Sequence, residues 1–162
     1  MRYFIVFFVT LLSNGSILAQ ITPTDIKDQI TIVDFAQNAS IRALDFIQGD
    51  ITSLMDAQDD FVPKGWNEFM KDMDGWLDDK GAPKFSSNFI PSGKALDISG
   101  ENGMLRLTIP GILKQQSQNA FGGVSTTTYR AEIDVQMGGN PVKIEHLEQR
   151  TCGGASTVTS CR

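Results

Sequence analysis

Hydrophobic and polar positions change their rhythm once along this chain, near Pro83. Upstream the spacing is helical. Thr22 or Thr24 offers a helix cap, with Pro23 tolerated in a first turn. From Thr31 the apolar positions Val33, Ala36, Ala39, Ala43, Leu44 and Ile47 recur at intervals of three and four, which places them on one helix face. Gly49 and Asp50 then read as a break with a fresh cap at Asp50, after which Ile51, Leu54 and Met55 continue an apolar face to about Gln58. Pro63 cannot extend that helix but suits the entry to a new one. Trp66, Phe69, Met70, Met73, Trp76 and Leu77 follow at helical spacing, with Glu68, Lys71, Asp72, Asp74, Asp78 and Asp79 opposite. The pattern predicts an amphipathic helix over residues 64–77, closed by Gly81-Ala82-Pro83.

Downstream the period drops to two. The segment KALDISGENGMLRLTIPGIL reads as a hairpin, with Leu96 and Ile98 alternating before SGENG and Leu105, Leu107 and Ile109 after it. Pro110-Gly111 should kink or bulge the second strand, because proline donates nothing to a ladder and favours edges. GILKQQSQ carries that strand on, and NAFGG is a loop. A long strand over residues 124–137 puts Tyr129, Ala131, Ile133 and Val135 on one face, and Thr128, Arg130, Glu132 and Asp134 on the other. GGNP turns the chain into a last strand, VKIEHLEQR. Helices first and an antiparallel meander afterwards give an α+β class, with N-terminal helices packed on one face of a curved sheet.

The extreme N-terminus stands outside this pattern. Arg2, the apolar run FIVFFVTLL and the break at Ser13 to Ser16 form an export signal, with cleavage expected between Ala19 and Gln20. The run is shorter than the ~20 apolar residues of a membrane span. An uncleaved anchor is the alternative, and it would be the chain's one route to a membrane. Residues 20–30 then form a leader, 31–150 the folded domain and 151–162 a tail. Loss of the signal removes Arg2 and no acid, so the formal charge moves from −5 to −6. That balance, with no basic run, argues against a nucleic-acid partner.

Cys152 and Cys161 are the two cysteines. An even count in an exported chain favours a disulfide between them, worth roughly 2.5 kcal/mol on a loop-entropy argument. Free or intermolecular thiols are the alternative, and a metal site would need more ligands than the single His146 adds.

Catalytic signatures are not found. A calcium loop starting at Asp72 would need Gly and Glu where Leu77 and Pro83 stand; one starting at Asp97 meets Asn102 and Thr108. There is no nucleophile elbow, phosphate loop or HExxH. His146 sits mid-strand among Lys143, Glu145 and Glu148, as a solvent-facing residue would. No cofactor and no enzymatic activity are implied. The stripe Trp66/Phe69/Met70/Met73/Trp76 has two readings: packing of the helix on the sheet, or a partly exposed docking surface of the kind that favours Trp and Met.

Residues 30–73, and above all FVPKGWNEFM at 61–70, resemble the periplasmic domain of the IcmL/DotI/TraM family of type IVB secretion and conjugation systems. The resembling steps are Val33-Asp34-Phe35-Ala36, Leu44-Asp45-Phe46 and Phe61-Val62-Pro63-Lys64-Gly65-Trp66; the strands through residue 150 match generically. The resemblance implies a cone fold like nuclear transport factor two, in which Phe61, Pro63, Gly65 and Trp66 form the joint that seats the helical layer on the sheet. It also implies a non-enzymatic role through self-association or binding of secretion-system subunits. The signal-like segment implies a soluble exported paralogue, periplasmic in a Gram-negative cell or secreted. Two other functions compete. One is a small-molecule binder or isomerase-like enzyme on the same cone, for which Tyr129, Asp134 and His146 are the polar candidates. The other is a virulence-associated protein acting outside the cell.

Overall fold

The computed structural model describes residues 26–101 and 104–152. The signal segment with Ala19 and Gln20, the last two residues of SGENG (Asn102 and Gly103), and Cys161 lie outside the described residues. The expected pairing of Cys152 with Cys161 therefore does too.

Helix α1 spans Ile26–Leu44. It starts before Thr31 and stops three residues short of Ile47, so the expected C-terminal boundary was too long. The cause is tertiary. Phe46 leaves the helix to exchange backbone hydrogen bonds with Ser87, N–H to O at 3.1 Å and 2.8 Å. Ile47 is left 59% exposed. Ala36, Ala39, Ala43 and Leu44 are fully buried, small enough mostly to let α1 lie close on the sheet.

Gly49, at φ 77, turns the chain into α2 (Ile51–Met55). Asp50 caps that helix as expected, accepting from the Thr52 N–H at 2.9 Å. The Thr52 hydroxyl, first, and its N–H hold the Asp50 carboxyl below the usual carboxylate range. A 3-10 turn at Gln58–Asp60 follows. Arg42 of α1 grips Asp60 through two hydrogen bonds, Nε at 2.6 Å and Nη2 at 2.9 Å. Helix α3 (Pro63–Asp72) continues into a 3-10 turn at Asp74–Trp76. The acidic run beyond it makes a turn rather than a cation loop, with Asp78 Oδ1 accepting from the N–H groups of Lys80 and Ala82.

Five antiparallel strands follow: β1 (Ser86–Pro91), β2 (Leu96–Glu101), β3 (Met104–Gln118), β4 (Val124–Gly138) and β5 (Lys143–Cys152). Their order is β1-β3-β4-β5, with β2 paired to the other half of β3. The register sets Leu107 against Val135, Ile109 against Ile133 and Leu113 against Tyr129. The face carrying these residues meets the helices and holds the core. This is the α+β arrangement of helices on one face of a curved antiparallel sheet.

Strand β1 was not anticipated, and Pro110 does not kink its strand. Strand β3 runs through Pro110 unbroken because the interruption lies next door. Strand β1 ends at Pro91 opposite Gly111, and β2 begins at Leu96 opposite Thr108. Proline's missing donor thus faces a gap in the edge, where the Ser92 N–H donates to the Pro110 carbonyl at 2.8 Å. The bulge sits instead in β2, between Leu96 and Ser99, and Leu96 and Ile98 are 47% and 50% exposed rather than inward.

Candidate functional site

The entry to α3 is built from local chemistry and one close approach. Val62 is extended, at φ −71 and ψ 153, and Pro63 takes the first helical turn. Phe61 bridges Ile144 in parallel register, and the Val62 N–H donates to the Ile144 carbonyl at 2.9 Å. The helix then passes so near β5 that a Cβ on Gly65 would lie 2.6 Å from the Glu145 oxygen and 2.8 Å from that of Ile144. Gly65 is therefore required by contact with a neighbouring backbone, not by a break in the chain.

Above this joint the aromatic stripe divides into two clusters. Trp66 packs edge-on to Phe61 (5.4 Å between ring centroids) and beside Phe69 (5.5 Å). Trp76 turns the other way, 5.1 Å from Phe85 and 6.0 Å from Phe46. Trp66, Phe69 and Met73 are buried; Met70 and Trp76 are partly so.

Between the clusters the helix and β5 separate, leaving an open cleft of about 590 Å³. Leu44, Phe69, Met73 and Trp76 form its apolar wall; Leu147, Gln149 and Thr151 of β5 face them. Asp72 and Glu148, both exposed, also border it, Glu148 from the face of β5 that it shares with its partner Asp134. His146 is at one end, its Nδ1 3.6 Å from Glu68 Oε2 on α3. The Gln149 side-chain oxygen is buried without a hydrogen-bond partner. The cleft's accessible surface is mixed, polar at least as much as apolar, with Leu44, Phe69, Met73 and Leu147 largely buried beneath it.

Of the stripe, Trp66 packs against Phe61 and Phe69, and Phe69, Met73 and Trp76 border the cleft, the first two buried. Leu44, Gln149 and Thr151 were missed. Leu44 stood in the expected apolar face of α1, whereas Gln149 and Thr151 are polar and gave no signal of their own. The competing polar set is not brought together. Asp134 lies on the sheet's other face, held by the Thr108 hydroxyl at 2.6 Å and by Arg150 at 2.5 Å, whereas Tyr129 packs against the core. Among the described residues no helix is long and apolar enough to cross a membrane.

No family model matches the chain, and no curated protein does. Solved structures do. An IcmL-like type IV secretion system protein from Legionella pneumophila superposes with a TM-score of 0.57 at 11% identity, over 81% of this chain and 98% of its own. A periplasmic fragment of TraM gives 0.54 at 11% identity, over 76% and 98%. A likeness at that level of identity is one of fold, and the resemblance seen at residues 30–150 is matched to that extent: the chain has the fold of the IcmL-like secretion protein and of the TraM periplasmic fragment.

Proposed function

We propose that this chain is a non-enzymatic, exported protein that works by protein–protein docking in or beside a type IV-like secretion or conjugation apparatus in the periplasm. The observation that carries the reading is the cleft between α3 and β5. It is open, bordered by Phe69, Met73 and Trp76 with the exposed Asp72 and Glu148 at its edges, and it stands in a fold shared with a secretion protein and a TraM periplasmic fragment. Such a composition suits a partner's apolar anchor better than a reacting substrate, since the titratable groups present do not converge on one point. In this reading the segment before Gln20 is removed on export, and Cys152 and Cys161 pair in the oxidising compartment.

The test is recovery of envelope proteins on tagged residues 20–162, taken from the native cell. Wild type should retain subunits of the secretion channel. Asp72→Lys with Glu148→Lys reverses the charge at exposed positions bordering the cleft and should lose them while the far-ultraviolet circular dichroism stays unchanged. Failure of wild type to retain any channel subunit would sink the reading.

A further inference from the structure

Strand β5 is an edge of the sheet, and two hydrogen bonds fix which way its backbone points. The Pro110 carbonyl accepts from the Ser92 N–H, so Pro110 faces away from β4, and its neighbour Ile109 faces β4 and Ile133. The N–H and C=O of one strand residue point to the same side, and those of the next residue to the other. Along β4, therefore, Ala131, Ile133, Val135 and Met137 face β3, while Glu132, Asp134 and Gln136 face β5. Their partners on β5 follow. His146, Glu148 and Arg150 are held in the ladder. Leu147, Gln149 and Thr151, opposite Val135, Ile133 and Ala131, turn their N–H and C=O groups to the free side. Ile144, opposite Met137 and beyond the bulge, does the same. Its carbonyl accepts from the Val62 N–H at 2.9 Å, off the sheet, as this direction requires.

The chain itself covers only the start of this edge. Phe61 bridges Ile144, and α3 closes over Glu145 at Gly65. From Leu147 to Thr151, no other strand or loop among the described residues pairs with the outward groups. A row of unpaired main-chain donors and acceptors is a template for a further strand. The cleft lies along that row. It is bordered by Leu147, Gln149 and Thr151, whose side chains lie on the core face of β5, and by His146 and Glu148, whose side chains lie on the other. One cavity touches both faces of a strand by running along its edge. Open main-chain groups also fit a surface rich in polar atoms over apolar side chains that are buried.

We propose that the cleft takes an extended segment of another polypeptide, which adds to β5 as a further strand and pairs with the N–H and C=O groups of Leu147, Gln149 and Thr151. This rests on reading the cleft as a docking surface. The guest is an extended backbone because a strand matches donors and acceptors that recur at every second residue. Leu44, Phe69, Met73 and Leu147 are at most 4% exposed, so main-chain bonds come first. An apolar side chain of the guest then rests on Trp76, which is only partly buried, and its alternate side chains lie beside His146 and Glu148. The guest enters past Thr151, because α3 shuts the edge at Glu145. Two occupants from the chain itself fit less well. Pairing of Cys152 with Cys161, as proposed above, closes the tail into a loop and keeps it off the edge. Strand β5 of a second copy, paired antiparallel about Gln149, would drive its continuation past Cys152 into α3 at Gly65.

Amide hydrogen exchange, read by NMR on residues 20–162, tests both the edge and its guest. In the dilute free chain the N–H groups of Leu147, Gln149 and Thr151 should exchange fast, and those of His146, Glu148 and Arg150 slowly. The probe is a phage-displayed library of random peptides of roughly seven residues, selected on the pure chain and then synthesised. The selected peptides should slow exchange at Leu147, Gln149 and Thr151 by roughly tenfold or more. Gln149→Pro removes one outward N–H and leaves the β4 ladder whole, so it should fold and bind these peptides roughly tenfold more weakly. Gln149→Ala keeps the N–H and should bind as wild type. Thr151→Pro repeats the test near the strand's end if Gln149→Pro does not fold. A library that yields no binder, peptides that leave the three amides unprotected, or equal binding by the proline variants would each overturn the proposal. So would slow exchange at the three amides in the dilute free chain, which places the tail there, or protection that rises with the chain's own concentration, which places a second copy there. In the envelope recovery, Gln149→Pro should lose the channel subunits that wild type retains. Subunits retained by Gln149→Pro overturn strand addition and leave the docking reading standing, whereas peptide protection without any channel subunit keeps strand addition and sinks the apparatus.

Discussion

Gly65→Ala is the most direct test of how the helical layer is seated. In an open helix the change would be favourable, since alanine gains up to about 1 kcal/mol over glycine in propensity. Here the new methyl would sit 2.6 Å and 2.8 Å from the carbonyl oxygens of Glu145 and Ile144, and 2.9 Å from the Glu145 carbonyl carbon. Ordinary carbon contacts lie at roughly 3.5–4.0 Å, so the overlap is close to 1 Å. The obstructing atoms are backbone, and the Ile144 oxygen already accepts from the Val62 N–H at 2.9 Å. Strand β5 cannot retreat without weakening that bond, so α3 must lift. Overpacking of this kind costs about 1–3 kcal/mol. With the propensity gain subtracted, the expected net loss is about 1 kcal/mol and at most about 2, or roughly 4–8 °C in Tm for a domain of this size. Gly75→Ala is the control, because nothing lies within 4 Å of its added Cβ; it should leave stability unchanged or raised. Urea unfolding followed by tryptophan fluorescence and by circular dichroism measures both. A Gly65→Ala protein as stable as wild type would refute the argument that this glycine exists for the approach to β5.

Three further outcomes follow from the packing and the caps. Trp66→Ala should cost about 3–5 kcal/mol, as the buried ring leaves a cavity against Phe61 and Phe69; the urea midpoint reads it directly. Ser40→Ala should stabilise by about 1 kcal/mol, because the Ser40 hydroxyl oxygen is buried in α1 without a partner and alanine is the better helix former; a lower urea midpoint would contradict this. The Asp50 carboxyl titrates below the ordinary range in the folded chain, so its contribution to α2 is complete above the unfolded carboxylate pKa and is lost as pH falls through the lower folded value. Carboxyl NMR titration should show the depressed midpoint, with loss of amide protection at Thr52 over the same pH interval, and Asp50→Ala should abolish both.

Legibility in the sequence followed the range of the interactions that decide each element. The start of α3 was legible because Pro63 and the spacing of Trp66, Phe69 and Met73 act within one or two turns. The end of α1 was not, since Phe46 is pulled extended by Ser87, some forty residues on. Strand β1, SSNFIP, has two serines and a proline and declares itself only through its ladder with β3. Pro110 was read by the correct rule in the wrong place. Its missing donor had to face an unpaired position, and the structure supplies one by interrupting the neighbour rather than the strand. The cleft's helical wall was visible as a stripe of large apolar side chains. Its strand wall was not, because Gln149 and Thr151 are polar and become inward-facing only through their register with Ile133 and Ala131.

The joint and the cleft have one cause. Phe61, just before α3, bridges Ile144 of β5 in parallel register, and α3 then passes over the strand at Gly65. At its start the helix is drawn onto the strand, because Gly65 removes the side chain that would keep them apart and Val62 hydrogen-bonds across. Beyond its end Trp76 is fixed by the rings of Phe46 and Phe85 and borders the cleft. The wedge of the cleft lies between this second anchor and β5. The wedge is lined by whatever the helix carries on its inner face beyond the joint, here Phe69 and Met73. A side chain at Gly65 would lift the near end and change the wedge's shape, and loss of the Trp76 ring would let the far end close. If the cleft docks a partner as proposed, stability and docking are coupled through the two ends of one short helix: variants at Gly65 should alter both, while Asp72→Lys and Glu148→Lys, at exposed positions bordering the cleft, should alter docking alone.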